Sequence, residues 1–199
     1  MKETPTLKSK RLTLREFRYS DADSLYRWAS SLSNAKYLYW HPHRDIEVSK
    51  RLLENWLRKK RNYSWALDDG TEAIGEVQVI KDLPEHGFEF GYILLEEKQG
   101  QGYMKEALRA VLDYLFLRDG YLYSKEEVNS LNVASRKTLE SLGYKFLEEE
   151  KNVYIAKIDS YIDRCYYTLS KEEYLKHKER EENPSIEQKG QQTINLGAK

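Results

Sequence analysis

Apolar and polar positions alternate over residues 12–17 as in a short strand, and Ser20 and Asp21 then offer caps to a helix. Its apolar positions, Ala22, Leu25, Tyr26, Trp28, Ala29 and Leu32, recur at threes and fours. After a loop around Trp40-His41-Pro42, Asp45 opens a second amphipathic helix with the stripe Val48, Leu52, Leu53, Trp56 and Leu57. Tyr63, Trp65 and Leu67 alternate as a strand, Asp69-Gly70 supplies hairpin chemistry, and a return strand covers 73–80. Val77 and Val79 fall on one face of that strand, Glu76 and Gln78 on the other. Residues 87–95 are apolar or aromatic apart from Glu89 and the two glycines, the pattern of a central strand buried on both faces. The clearest helical stripe runs over 104–118, from Met104 through Val111 to Phe116. A strand over 121–128 and a helix over 132–142, stopped by Gly143, come next. Three β-rich segments, 144–147, 153–158 and 164–169, read as strands of a closing hairpin.

This order predicts an α/β class (an α+β mixed sheet), antiparallel at first and with a βαβ crossover in its second half. Residues 1–169 form the expected domain, and 170–199 a charged C-terminal extension. Within the extension, 171–182 reads as one exposed helix, and 183–199, without aromatics or periodicity, as disorder.

Composition narrows the function classes. Thirty-three basic residues balance 33 acidic ones among 199, so no bulk attraction to nucleic acid or anionic lipid is expected. The mean hydropathy of −0.82 and the 33% of charged residues describe a soluble protein. No run approaches the roughly 18 apolar residues of a spanning helix, and the charged first 14 residues leave no signal core. The single cysteine, Cys165, closes no intramolecular disulfide and builds no structural zinc site. A cytoplasmic setting, with neither membrane nor metal, is the expectation.

The informative stretch is Gln99-Gly100-Gln101-Gly102-Tyr103-Met104, directly after the buried strand and before the amphipathic helix. Glycine permits a sharp turn and lets a ligand approach main-chain N–H groups, while the helix start adds unpaired donors and positive potential. Together these suit a phosphate or pyrophosphate; the alternative is a strand-to-helix turn that only needs flexible residues. The chain has no P-loop sequence, and Lys105 stands where a dinucleotide fingerprint wants a third glycine or alanine.

The stretch resembles the Gln/Arg-x-x-Gly-x-Gly/Ala signature of the GNAT superfamily of acetyl-CoA-dependent N-acetyltransferases. Gln99 and Gly102 match, and Met104 departs at the sixth position without removing a backbone donor. Gly91-Tyr92-Ile93-Leu94, Glu106-Ala107-Leu108, Asn132 to Arg136 and Leu142-Gly143-Tyr144 follow in family order. The combination, with an opening over 7–17, is most similar to the branch of ribosomal-protein N-terminal (Rim-type) acetyltransferases. The resemblance spans about residues 7–169.

It implies the GNAT fold, with splayed central strands and four or so helices, and acetyl transfer to a primary amine by direct attack on the thioester. The acceptor is a protein or peptide N-terminus or a small-molecule amine. The resemblance places the cofactor's pantetheine on the backbone of Ile93 and Leu95, its pyrophosphate on N–H groups of 101–105, and a carbonyl-polarising N–H near Leu94. Gln99, Gly100, Gln101, Gly102, Tyr103, Met104 and Lys105 thus make the cofactor loop. Asn132 and Ser135 match the family's Asn-x-x-Ser beside the pantetheine arm, although both are also ordinary helix caps. Ser135 is a candidate acid for the leaving thiolate, with Tyr166 and Tyr167 as rivals. Candidate bases are Glu89, a carboxylate among apolar neighbours with the parity of Ile93, and Glu76 on the adjacent strand. A salt bridge to a nearby cation is the competing role for such a carboxylate, and water can also accept the proton. His41 and His43 belong to the acceptor region or to loop packing. Lys98, Lys105, Arg136 and Lys137 are candidate phosphate contacts. Partners are acetyl-CoA and an amine, with a homodimer as an option. A CoA-binding sensor or interaction protein without turnover is the alternative function.

Overall fold

The computed structural model describes residues 3–38, 40–58 and 62–183. Its strands are β1 (Leu7–Lys8), β2 (Thr13–Arg15), β3 (Ser64–Asp68), β4 (Ala73–Leu83), β5 (Gly87–Leu94), β6 (Tyr123–Asn129), β7 (Lys145–Ile155) and β8 (Ser160–Ser170). The helices are α1 (Ala22–Ser30), α2 (Leu32–Ala35), α3 (Ile46–Arg58), α4 (Tyr103–Leu117), α5 (Val133–Glu140) and α6 (Lys171–Glu182). Six α-helices thus stand among the described residues, where four or so are expected. The added ones are α2, a single turn capped by Ser31, and α6, which the sequence places in the extension.

One eight-stranded sheet has the order β1-β2-β3-β4-β5-β6-β8-β7. Every pairing is antiparallel except β5 with β6, whose crossover is α4. This is the mixed sheet that the element order predicts.

Both faces of the central strands are covered. On one, Phe88 of β5 packs on Phe116 of α4 (ring centroids 5.6 Å apart) and on Tyr121 (5.0 Å). Trp65 of β3 meets Tyr114 of α4 on the same side. Trp65, Phe88 and Phe116 are wholly buried, each stabilising the fold by roughly 1.5–3 kcal/mol relative to exposure. On the other face α1 packs against α3 and β4, and Phe17 takes the rings of Trp28 and Trp56. Leu53 is the fully buried leucine of α3, whereas Leu57, placed by spacing in the apolar stripe, is exposed.

The segment from 144 to 169 departs from its expected form. It makes two 11-residue strands, and the turn falls between Ile155 and Ser160, inside the expected strand 153–158. β7 is an edge strand exposed along most of its length, so both its faces are wet and no apolar alternation marks it. The helix over 171–182 forms as expected but is not free. Tyr174 is fully buried against Phe116 and donates to Asp113 (2.9 Å), which Lys178 also engages. Of the disorder expected over 183–199, Asn183 is the C-cap of α6 and 184–199 lie outside the described residues.

Candidate active site

β5 and β6 pair only at Gly87–Tyr123 and Phe88–Ser124; beyond that point they diverge. At the closed end the strands are so near that a Cβ on Gly87 would lie 2.3 Å from the Tyr123 ring. At the open end lies a cavity of about 520 Å3, bordered by β5, the glycine loop, α2, and the starts of α4 and α5.

The loop fits an anion. Gly100 and Gly102 have φ of +70° and +80°, a region that side chains rarely adopt. Gly102 is the N-cap of the 15-residue α4 and offers no side chain to its first-turn N–H groups, which are left for a ligand. The loop is held from outside. Arg11 donates to the Gln101 carbonyl (3.1 Å), stacks on Tyr103 and pairs with Glu106, and Lys98 pairs with Asp69 (2.7 Å). Gln99 points inward: its Nε2 donates to Asn34 Oδ1 (3.0 Å) and to the Leu94 carbonyl (3.1 Å). Asn34 donates to that same carbonyl (3.3 Å), so loop, α2 and β5 are tied at one atom. Lys105 borders the cavity, its ammonium on Glu181 of α6 (3.1 Å), which Arg109 also engages.

The backbone expectation shifts by one residue. The N–H of Leu95 donates to Ile74 O (2.8 Å) and its carbonyl accepts from Lys98 (3.0 Å). Opposed residues of an antiparallel pair alternate in bonding, so Ile93, opposite Glu76, also turns its backbone to β4. Tyr92 and Leu94 turn theirs into the gap. Ile93 still borders the cavity; Leu95 does not.

Asn132 and Ser135 are both at the cavity. Asn132 Oδ1 accepts from the Ser135 N–H (3.1 Å), the expected cap of α5. The Ser135 hydroxyl lies 2.6 Å from that of Tyr92, which faces the cavity too and whose phenol burial pushes up. Tyr92, read only as part of the segment 91–94, was not singled out as a site residue, since one tyrosine among 16 carries no signal of its own. The rival acids are elsewhere. Tyr166 donates to Glu150 (2.8 Å); Tyr167 is buried between Glu140 and Arg136. Arg136 is thereby engaged by Tyr167 and the Ser130 carbonyl, Lys137 is exposed, and neither borders the cavity.

Neither candidate base borders the cavity. Glu89 has the parity of Gly91 and Ile93, but its carboxylate is held by Lys81 (2.8 Å). Glu76 is buried and accepts from the Ser64 hydroxyl (3.0 Å). His43 is fixed by Ser49 (2.7 Å), burial lowering its pKa, and like His41 it is not at the cavity. A further buried acid, Glu126, sits where β5 and β6 part, and burial holds its carboxyl well above the usual range. Two adjacent glutamates in a strand, Glu126 and Glu127, must face opposite sides, which is the signal that one of them points inward. Among the described residues no group of three or more His, Cys, Asp or Glu is placed to hold a metal, and no helix is long and apolar enough to cross a membrane.

Residues 11–145 match the acetyltransferase (GNAT) domain family. The uncharacterized N-acetyltransferase YnaD of Bacillus subtilis (strain 168) is 25% identical over 166 residues, covering 83% of this chain and 97% of YnaD. A Vibrio cholerae spermidine N-acetyltransferase, solved with CoA and spermine, shares the fold at a TM-score of 0.70 and 20% identity, over 83% of this chain and 98% of that one. A candidate ribosomal-protein-serine acetyltransferase from the same organism does so at 0.70 and 19%, over 85% and 99%. The chain belongs to the GNAT acetyltransferases and is an enzyme of that family.

Proposed function

We propose that the protein transfers the acetyl group of acetyl-CoA to a primary amine. The observation that supports this most is the continuity of the cavity, from the uncapped start of α4 along the gap-facing edge of β5 to the Ser135 hydroxyl. Bound acetyl-CoA supplies the acetyl group as an activated thioester. Backbone donors of 101–105 hold its pyrophosphate, and the exposed edge at Tyr92 and Leu94 takes the pantetheine arm as an added strand. The Leu94 N–H, turned into the gap, polarises the thioester carbonyl. Ser135, oriented by Asn132 and Tyr92, donates to the sulfur as it leaves. The attacking nitrogen loses one proton and the departing thiol gains one. With Glu89 engaged by Lys81, the nitrogen's proton goes to solvent.

Resemblance to the Rim-type branch favours a peptide or protein N-terminus as acceptor. The likeness to a polyamine enzyme makes spermidine the second acceptor to try. A CoA sensor without turnover draws support from the same Lys81–Glu89 pair, which leaves the acceptor face without a free carboxylate at that position.

Thermal unfolding with acetyl-CoA, CoA or ATP tests the binding half. Acetyl-CoA at about 100 times its Kd adds about 2.7 kcal/mol of stability, which raises Tm by roughly 5–10 °C in a chain of this size. ATP at the same concentration leaves Tm nearly unmoved. Equal shifts from both nucleotides, or none from acetyl-CoA, contradict the assignment of the cleft.

A further inference from the structure

We propose that Glu126 is a positioning residue for the cofactor cleft: its buried side chain, inserted between β5 and β6, is the wedge that keeps the two strands apart. This rests on the reading of the cleft given above.

The sheet is closed at Phe88–Ser124, and the next gap-facing amide of β5 is that of Phe90. In a continuing parallel ladder a β6 carbonyl would accept it, with the strands about 4.8 Å apart. Here the Phe90 N–H lies instead 3.4 and 3.3 Å from the two oxygens of Glu126. A carboxyl group standing between an amide and the neighbouring strand requires a wider separation than a ladder permits, so the strands part where it enters.

The wedge is itself braced. The Ser124 hydroxyl donates to Glu126, and Tyr144 donates to that hydroxyl (2.8 Å) while packing edge-on against Phe90. Donors therefore reach Glu126 from both strands it separates. The residue is 3% exposed and absent from the cavity wall, so it acts through the spacing of β5 and β6 and not by touching a ligand. A buried carboxyl is costly, and an apolar residue in its place would often be neutral or stabilising. Its presence in the seam of the sheet is what an opening role accounts for.

Two variants test this. Glu126→Gln keeps an acceptor and the same length; Glu126→Val removes the acceptor and favours strand pairing. For Glu126→Val the expected result is a Kd for CoA raised at least tenfold and a KM for acetyl-CoA raised alike. Its Tm without ligand should be unchanged or higher, and the Phe90 and Tyr92 amides should exchange more slowly. Glu126→Gln should bind CoA within about threefold of wild type. If Glu126→Val fails to fold, Glu126→Leu, closer in volume, takes its place. A folded Val or Leu variant that binds CoA as wild type does overturns the proposal, as does a folded Gln variant that loses binding tenfold. Wild-type protein that does not bind CoA at all sinks the cofactor reading instead. The amide-exchange comparison then still decides whether Glu126 holds the strands apart.

Discussion

Ser135 borders the cavity with its hydroxyl on that of Tyr92, and in the proposed reaction it is the proton donor for the leaving sulfur. Ser135→Ala should lower kcat by about 10²-fold at high pH and less at low pH, with the KM for acetyl-CoA within threefold. A loss in KM alone would reassign Ser135 to binding. Glu89 carries the opposite expectation. Its partner Lys81 is far more exposed than itself, and surface pairs of this kind contribute roughly 0.2–1 kcal/mol. Glu89→Gln should leave turnover per folded molecule within about threefold and shift Tm by no more than a few degrees. A drop of 10² or more in turnover, with CoA affinity intact, would restore it as the base. Alternation along β5 is enough to read the face of Glu89, but not its partner. Without a bulge Ile80 would stand opposite Glu89; the extra residue between Val79 and Lys81 brings Lys81 there instead. A one-residue insertion in a ladder leaves no mark on hydrophobic spacing. The same limit hid which backbone groups of β5 face the gap, those of Tyr92 and Leu94 and not those of Ile93 and Leu95, because bonding parity depends on which strand lies alongside.

Elements with at least one dry face were legible; a strand wet on both sides was not. The stripe of α4 and the buried run of β5 declare themselves through burial. β7 has solvent on both sides, and its run Glu148-Glu149-Glu150-Lys151 imitates a charged turn while continuing a strand. The helix α6 was expected but its docking was not: only Tyr174 is buried, too little for a periodic signal, yet that ring fixes the helix on α4. The start of α6 supplies a pH-dependent contact. Lys145 (2.5 Å), then the Ser170 backbone N–H and hydroxyl, hold the Glu173 carboxyl at about 2, below its ordinary 4.5. Its folded pKa is depressed, so its stabilisation is complete above about pH 4.5 and is lost as pH falls towards 2. Glu173→Gln should flatten the fall of Tm between pH 5 and pH 2, measured against wild type by calorimetry. An unchanged slope would mean that other carboxylates set the acid limb.

At the scale of the whole molecule, one departure from regular sheet geometry shapes the candidate site. Seven pairings close an eight-stranded sheet, and one of them, β5 with β6, is abandoned after two residue pairs. The opening exposes strand edge beside a helix start whose donors no side chain caps, and both face the same cavity. The glycine loop made that helix start readable from the sequence. That the sheet opens between β5 and β6 followed from the family resemblance; the buried Glu126 at the point of opening, between strands some 36 residues apart, was not readable. The central claim is that this cleft carries out transfer and does not merely bind. Its most direct test is the release of free CoA thiol from acetyl-CoA by the 199-residue chain, with peptides bearing free N-termini, spermidine and aminoglycosides each added in turn. At least one primary amine should accelerate thiol release well above the slow hydrolysis seen without acceptor, with one acetylated amine formed per thiol. Saturable acetyl-CoA binding with no amine-dependent release across the panel would contradict it.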